Sequence, residues 1–268
     1  MHTVTSNEGN AYEILKGEDI CDETLTDKTM GYFSRLMEID CEVYNSAYSG
    51  DISGYVDRFG YRPLDNEDPT SPLVLNPEKG CIDNIIAVAK DDKIIGYINY
   101  LTANEELYDE IIHPDMEAYY DDPGRRDDGI SGLQIDQWSK DNPNHLFILS
   151  IAIDKEHQDT DVIKVLTNEF RQELTNKINE GYEIESITGD TVSDHGEDAL
   201  TMMRFTCAEE EGKPLILPAP EADDTEHDVT VRICTGQDLE DMINKGFDLD
   251  RTRVSEKEEE TEMEIDDE

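Results

Sequence analysis

The chain has 268 residues, with 66 acidic against 22 basic side chains and a formal net charge of −44. That length holds one sizeable domain with a real core, and that field repels phosphate polyanions and anionic lipid, which argues against direct nucleic-acid binding and against a membrane-surface role. No apolar run approaches the roughly 18 residues of a membrane span, and the start, MHTVTSNEGN, lacks the basic and apolar regions of a secretory signal.

In chain order, residues 1–10 read as a flexible start. Ala11–Lys16 (AYEILK) reads as a strand, and Asp22–Tyr48 as a helix with Leu25, Met30, Phe33, Leu36, Met37 and Ile39 near helical spacing. Asp51–Phe59 reads as a second short helix, ended by Gly60 and Pro63. Residues 63–81, rich in Pro, Asp and Asn, read as loop. Asn84–Ala89 and Ile94–Leu101 flank Lys90-Asp91-Asp92-Lys93, the pattern of an antiparallel hairpin. Residues 103–145 form an acidic insertion with helix at Glu105–Ile112. His145–Ile153 (HLFILSIAI) is a nearly continuous apolar run, hence a strand buried on both faces.

Asp161–Glu180 follows as an amphipathic helix closed by Gly181. Glu185–Thr191 is a strand and Gly196–Arg204 a short helix. Leu215–Leu217 and Val229–Cys234 are late strands, and Gln237–Phe247 is a last helix. The expected organisation is a flexible 1–10, a domain over 11–218, a strand–helix appendage over 219–251 and a disordered acidic tail over 252–268. Residues 219–268 carry −14 of the charge, which leaves −30 on the body, so the folded part is acidic too. Adaptation to high salt is one reading of this, but the Ile, Met and Cys content speaks against it. Five widely spaced cysteines without a C-x-x-C read as reduced thiols of a cytoplasmic protein, not as a disulfide frame or a metal site.

This order of elements resembles the GNAT superfamily of N-acetyltransferases over roughly residues 10–218. The likeness is strongest in LFILSIAIDKEHQDTDVIKVL, similar to the family's central strand, pyrophosphate loop and following helix. GDTVSDHGEDALTMMRF is similar to its next strand and short helix. The resemblance implies an α/β fold with a mixed, mostly antiparallel sheet of six to seven strands flanked by helices. It also implies acetyl-CoA as cosubstrate. In a working member the central strand splays from its neighbour and offers backbone amides, here those of Ile151 and Ile153, to the pantetheine arm. Gln158 takes the Gln/Arg place of the family's loop, Asp161 the place of its first Gly and Ile163 that of its second small residue. With Asp159, Thr160 and Val162 these are the implied cofactor-binding residues.

Two readings of Asp161 stand. In the first the loop still holds a diphosphate, against repulsion from Asp159 and Asp161. Alternatively Asp161 is the helix N-cap and fills the anion site with the protein's own carboxylate. The family's catalytic positions are also altered: Phe147 stands where some members have a general-base Glu, Leu200 where others have an acidic Tyr, and Arg204 replaces a Gly. His145, two residues before Phe147 on the same strand face, is the remaining candidate base, with a surface His as the alternative. Ser193, Asp194 and His195 are consecutive and cannot converge as a triad; they read as a helix cap. Asp121, Asp122, Asp127 and Asp128 lack calcium-loop order. Trp138 either lines an acceptor cleft or anchors the insertion.

Two functions follow as expectations. One is an acyl-CoA-dependent N-acyltransferase, an acetyltransferase by preference, acting on a cationic amine such as a polyamine, an aminoglycoside-like amine or a Lys-rich protein. The other is an inactive GNAT-fold protein that presents carboxylates to a basic partner, in imitation of nucleic-acid phosphate.

Overall fold

A computed structural model describes residues 1–44, 52–65, 68, 70–76, 84–117, 135–210, 212–218 and 229–248. The sheet begins with β1 (His2–Thr5) and β2 (Ala11–Lys16), an antiparallel hairpin turned by Gly9 at φ 85°. The start of the chain, expected to be flexible, is therefore the edge of the sheet. Val4 also packs against the core, an apolar contact too small to register in the sequence pattern.

After a helical turn α1 (Gly17–Ile20) comes α2 (Asp27–Val43), capped where the Thr29 N–H donates to Thr26 Oγ1. The helix starts later than the expected Asp22, because Thr26 accepts a first-turn amide and so fixes the start, and residues 45–48 of the expected span lie outside the described residues. Beyond it lie α3 (Ile52–Arg58), β3 (Tyr61–Pro63) and β4 (Leu73–Leu75). β4 lies within the stretch read as loop and pairs with β3, which ends where that stretch begins; three-residue strands with prolines in or beside them leave too little periodicity to detect.

β5 (Ile85–Lys90) and β6 (Lys93–Ala103) form the expected hairpin. Asp91 and Asp92 both have positive φ, 52° and 64°, as a two-residue turn compatible with strand twist requires. The helix α4 (Glu105–Ile112) follows, then β7 (Ile135–Asp136) and β8 (Asn144–Ile153). Residues 118–134, which include the aspartates considered for calcium, lie outside the described residues. Next come α5 (Val162–Asn179), β9 (Ile184–Thr191) and α6 (Asp194–Met202). The chain continues through β10 (Thr206–Cys207), β11 (Glu209–Glu210), β12 (Lys213–Pro214) and β13 (Ile216–Leu217) to β14 (Val229–Thr235) and α7 (Gly236–Lys245).

The main sheet runs β1-β2-β5-β6-β8-β9-β14-β10, with β7 on β6 and β13 on β14. That makes ten strands among the described residues, more than the six or seven expected, since β1 and the two-residue pieces carry almost no pattern of their own. All neighbours are antiparallel except β8 and β9, which are parallel and joined by the α5 crossover. The topology is GNAT-like. β14, read from sequence as part of an appendage, pairs with β9 from Thr230 to Thr235 and is an inner strand of this sheet.

The sheet is covered on both faces. α5 lays Val162, Leu166, Phe170 and Leu174 on one face, with α6 and α7 beside it. α2 and α3 cover the other through Phe33, Leu36, Ile39 and Tyr55. None of the four described cysteines is in a disulfide, and no helix among the described residues is long and apolar enough to cross a membrane.

Candidate active site

The site starts from a register. β8 and β9 pair in parallel from Asn144/Ile184 to Ile148/Gly189 and then part, while β8 runs on to Ile153. Gly189 stands at the parting, where a Cβ would meet Leu200 Cδ1 at 3.2 Å and Ile148 Cβ at 3.5 Å. On its other side β8 stays paired with β6, and the Asp154 N–H donates to Ile95 O. Backbone groups alternate in direction along an antiparallel strand. Ala152 and Asp154 therefore turn to β6, whereas Ile151 and Ile153 turn their N–H and C=O to the side that β9 has left.

At the end of this open edge a short turn, Lys155–His157, leads to the N-terminus of α5. The turn is held at both ends. Asp154 accepts the Glu156 N–H and pairs with Arg35 of α2, whose Nε also donates to Ile94 O at 2.9 Å. Burial works to raise the Asp154 carboxyl, but these donors and Lys93 hold it below the usual range. Gly96 lets α5 approach, since a Cβ there would lie 3.1 Å from Val162 Cγ1 and 3.2 Å from Ala152 O.

No side chain caps α5. Asp161 occupies the N-cap position, yet its carboxylate turns inward: Oδ1 accepts from the Tyr12 hydroxyl at 2.6 Å and from Asn10 Nδ2 at 3.4 Å. Burial opposes its charge, but hydrogen bonds from Ser6, Tyr12 and Asn10 outweigh that and keep the carboxyl below its ordinary value. Self-capping by Asp161 is thereby corrected. The β1–β2 hairpin, which the sequence pattern did not reveal, supplies better donors than the helix.

The other loop residues are distributed as follows. Gln158 and Asp159 are exposed, and Gln158 Nε2 donates to Ile153 O at 3.1 Å. The Thr160 hydroxyl donates to His157 O at 2.5 Å, Val162 is buried in the core and Ile163 is half-buried. Ile151 and Ile153 also pack their side chains on the α5 face. So the structure brings Ile151, Ile153, Gln158, Asp159, Thr160, Asp161, Val162 and Ile163 into one continuous edge and turn.

His145 is not part of it. It lies six residues before Ile151, about 20 Å along an extended strand, in the segment still paired with β9. There its ring stacks on Tyr108 at 3.7 Å and its Nδ1 hydrogen-bonds Ser186 Oγ at 2.8 Å. Burial lowers its pKa against the pull of Glu185 and Glu105. Phe147 and Leu200 are buried apolar residues. Arg204 has φ 68°, a left-handed conformation that favours glycine, and its Nε donates to Gly246 O. Ser193 caps α6 by accepting the Gly196 N–H, as expected. Trp138 anchors its segment: Nε1 donates to Asn84 Oδ1 at 3.0 Å and the ring meets Tyr182 edge-on.

One cluster went unrecognised in the sequence. Asp40 of α2 is buried and accepts from the hydroxyls of both Tyr55 and Tyr97, while Ser150 Oγ on β8 donates to it at 3.3 Å. Burial raises the Asp40 carboxyl, although Tyr55, Tyr97 and the Arg58 charge pull it back. Ser150 also reaches the hydroxyl of Tyr44, which donates to Ile151 O at 2.8 Å and accepts the Ile151 N–H at 3.2 Å. A signal was present. Asp40 falls seven residues after Phe33 and four after Leu36, on the apolar face of α2, where an acid demands partners.

No family model matches the chain, and no curated protein matches it. Solved structures do. The loading GNATL domain of CurA from Lyngbya majuscula is similar over 84% of this chain and 97% of its own, at 10% identity and a TM-score of 0.48. NAA60 from Arabidopsis thaliana, in complex with a bisubstrate analogue, covers 83% of this chain and 96% of its own at 11% identity and 0.43. The ribosomal-protein-S18-alanine N-acetyltransferase from Escherichia coli covers 83% and 92% at 9% identity and 0.42. At such identities the likeness is one of fold alone. By strand order, by the one parallel pair among the described residues and by the crossover helix between those strands, the chain has a mixed, mostly antiparallel α/β fold of GNAT-like topology.

Proposed function

We propose that the chain is an acyl-CoA-dependent N-acyltransferase, with acetyl-CoA as donor and a cationic amine as acceptor. The observation that carries this reading is the open edge of β8 beside an uncapped helix N-terminus, with the Asp161 carboxylate turned away into the β1–β2 hairpin. An extended amide-bearing arm can add to such an edge by backbone hydrogen bonds, and the first-turn amides of α5 suit a diphosphate. In the reaction the acceptor nitrogen, in its neutral amine form, attacks the thioester carbonyl carbon. The carbon–sulfur bond breaks, and the nitrogen loses a proton as the thiolate gains one. The chain's own contribution is to orient the donor and to direct backbone N–H groups at the developing oxyanion. A net charge of −44 concentrates cations around the molecule, which favours an amine acceptor.

A second reading has its own support: the positions of the family's acid and base hold the buried apolar residues Leu200 and Phe147. On that reading the fold is a catalytically inactive module whose acidic surface binds a basic protein. Calorimetric titration with acetyl-CoA separates the two. Saturable heat, followed by release of free thiol when a polyamine or Lys-rich peptide is added, fits the enzyme. Absence of binding together with salt-sensitive capture of the basic peptide fits the module.

A further inference from the structure

The open edge of β8 is not bare at Ile151. The hydroxyl of Tyr44 sits against it, accepting the N–H at 3.2 Å and donating to the C=O at 2.8 Å of the same residue. A neighbouring strand, or an extended amide ligand, would engage this same donor–acceptor pair. Tyr44 ends α2, whose preceding turn carries Asp40, and Ser150 lies within 3.3 Å of both the Tyr44 hydroxyl and Asp40. Tyr55 and Tyr97 fix Asp40 in turn. The contact is thus a built one, anchored through five side chains drawn from α2, α3, β6 and β8.

We propose that Tyr44 is an internal competitor for the cosubstrate: its hydroxyl occupies the Ile151 backbone pair, so that binding of an acyl-CoA amide arm requires the C-terminal end of α2 to release β8. This inference rests on the acyl-CoA reading. It makes Tyr44 a determinant of affinity and couples the bound state of β8 to α2, the helix on the sheet face opposite α5. Removing the hydroxyl removes one side of the competition while leaving the ring to pack. The edge is then satisfied by water until ligand arrives, and a ligand no longer has to displace a protein hydrogen bond. A net hydrogen-bond contribution of ordinary size corresponds to a gain of about 3- to 10-fold in affinity.

The test is titration of coenzyme A into the full-length chain and its Tyr44→Phe and Ser150→Ala variants, with amide hydrogen exchange at Ile151 measured on each without ligand. Tyr44→Phe should bind about 3- to 10-fold more tightly, and its Ile151 amide should exchange faster. Ser150→Ala, which loosens Tyr44 but leaves its bonds to Ile151, should give a smaller gain. Binding by the unmodified chain with equal or weaker binding by Tyr44→Phe overturns the inference alone. Unchanged exchange at Ile151 in Tyr44→Phe overturns it as well. Faster exchange with no coenzyme A binding by any of the three proteins overturns the acyl-CoA reading, and the inference with it.

Discussion

The hydroxyl of Tyr12 donates to Oδ1 of Asp161 across 2.6 Å, and this contact decides what the N-terminus of α5 offers. Sequence alone puts a carboxylate where an anion would sit. The hydrogen bond takes that carboxylate into the β1–β2 hairpin, and α5 is left without a side-chain cap. Asp161 is therefore a structural residue that joins the edge hairpin to the crossover helix.

Tyr12→Phe should accordingly destabilise the fold by about 1.5–3 kcal/mol, the range for a hydrogen bond to a charged group. Urea unfolding would measure it. A loss below about 0.5 kcal/mol would mean that Ser6 and Asn10 hold Asp161 without help.

Asp159, two residues before the N-cap of α5, faces solvent. Asp159→Gly should tighten coenzyme A binding about three- to tenfold at low salt, and the gain should shrink as salt rises. Asp161→Gly should instead lower stability, because it removes the partner of Tyr12. Calorimetry and thermal melts on the two variants, compared side by side, check both statements.

Alkaline pH should expose the buried phenols. Burial pushes Tyr12, Tyr44 and Tyr61 up to about 12, and Tyr55 and Tyr97 move in the same direction. A raised folded-state value means that the native chain binds more protons than the unfolded chain above pH ~10. The stability tied to these groups is complete below that pH and is lost as pH climbs toward about 12. Phenolate absorbance should therefore appear in two stages, exposed tyrosines first and the remainder together with unfolding. A single smooth titration in a chain that stays folded would contradict this.

Much of the fold was legible because its longest elements carry strong periodicity. The β5–β6 hairpin, β8, α5 and β9 lie within a residue or two of where apolar spacing puts them. What escaped is short or polar. β1 has one partly buried apolar residue, Val4, and β3 and β4 have three residues each. In the site, the resemblance singles out Ile151 and Ile153, whereas the direction of the Asp161 side chain was not legible, because its partners lie about 150 residues away. The distance of His145 from the open edge of β8 was not legible for a different reason. Strand alternation fixes its face, but only the register with β9 fixes how far along the strand the cleft opens.

Salt should stabilise the chain. Self-repulsion from a charge of −44 opposes the compact state, and raising ionic strength from about 10 mM to 150 mM shortens the screening length from about 30 Å to 8 Å. The thermal midpoint should rise over that interval and then level off. A continued rise into molar salt would indicate adaptation to high salt, and a flat response would mean that the acidic groups are already neutralised.

The central claim is that the edge of β8 and the first turn of α5 form one seat for an acyl-CoA. Titration of acetyl-CoA followed by backbone amide resonances tests it most directly. The amides of Ile151, Ile153, Val162, Ile163 and Lys164 should shift together along one saturating curve, with resonances of β1 and β14 unmoved. If these five stay in place at about millimolar acetyl-CoA, or if only distant surface amides respond, the seat is not there and the acyltransferase reading falls.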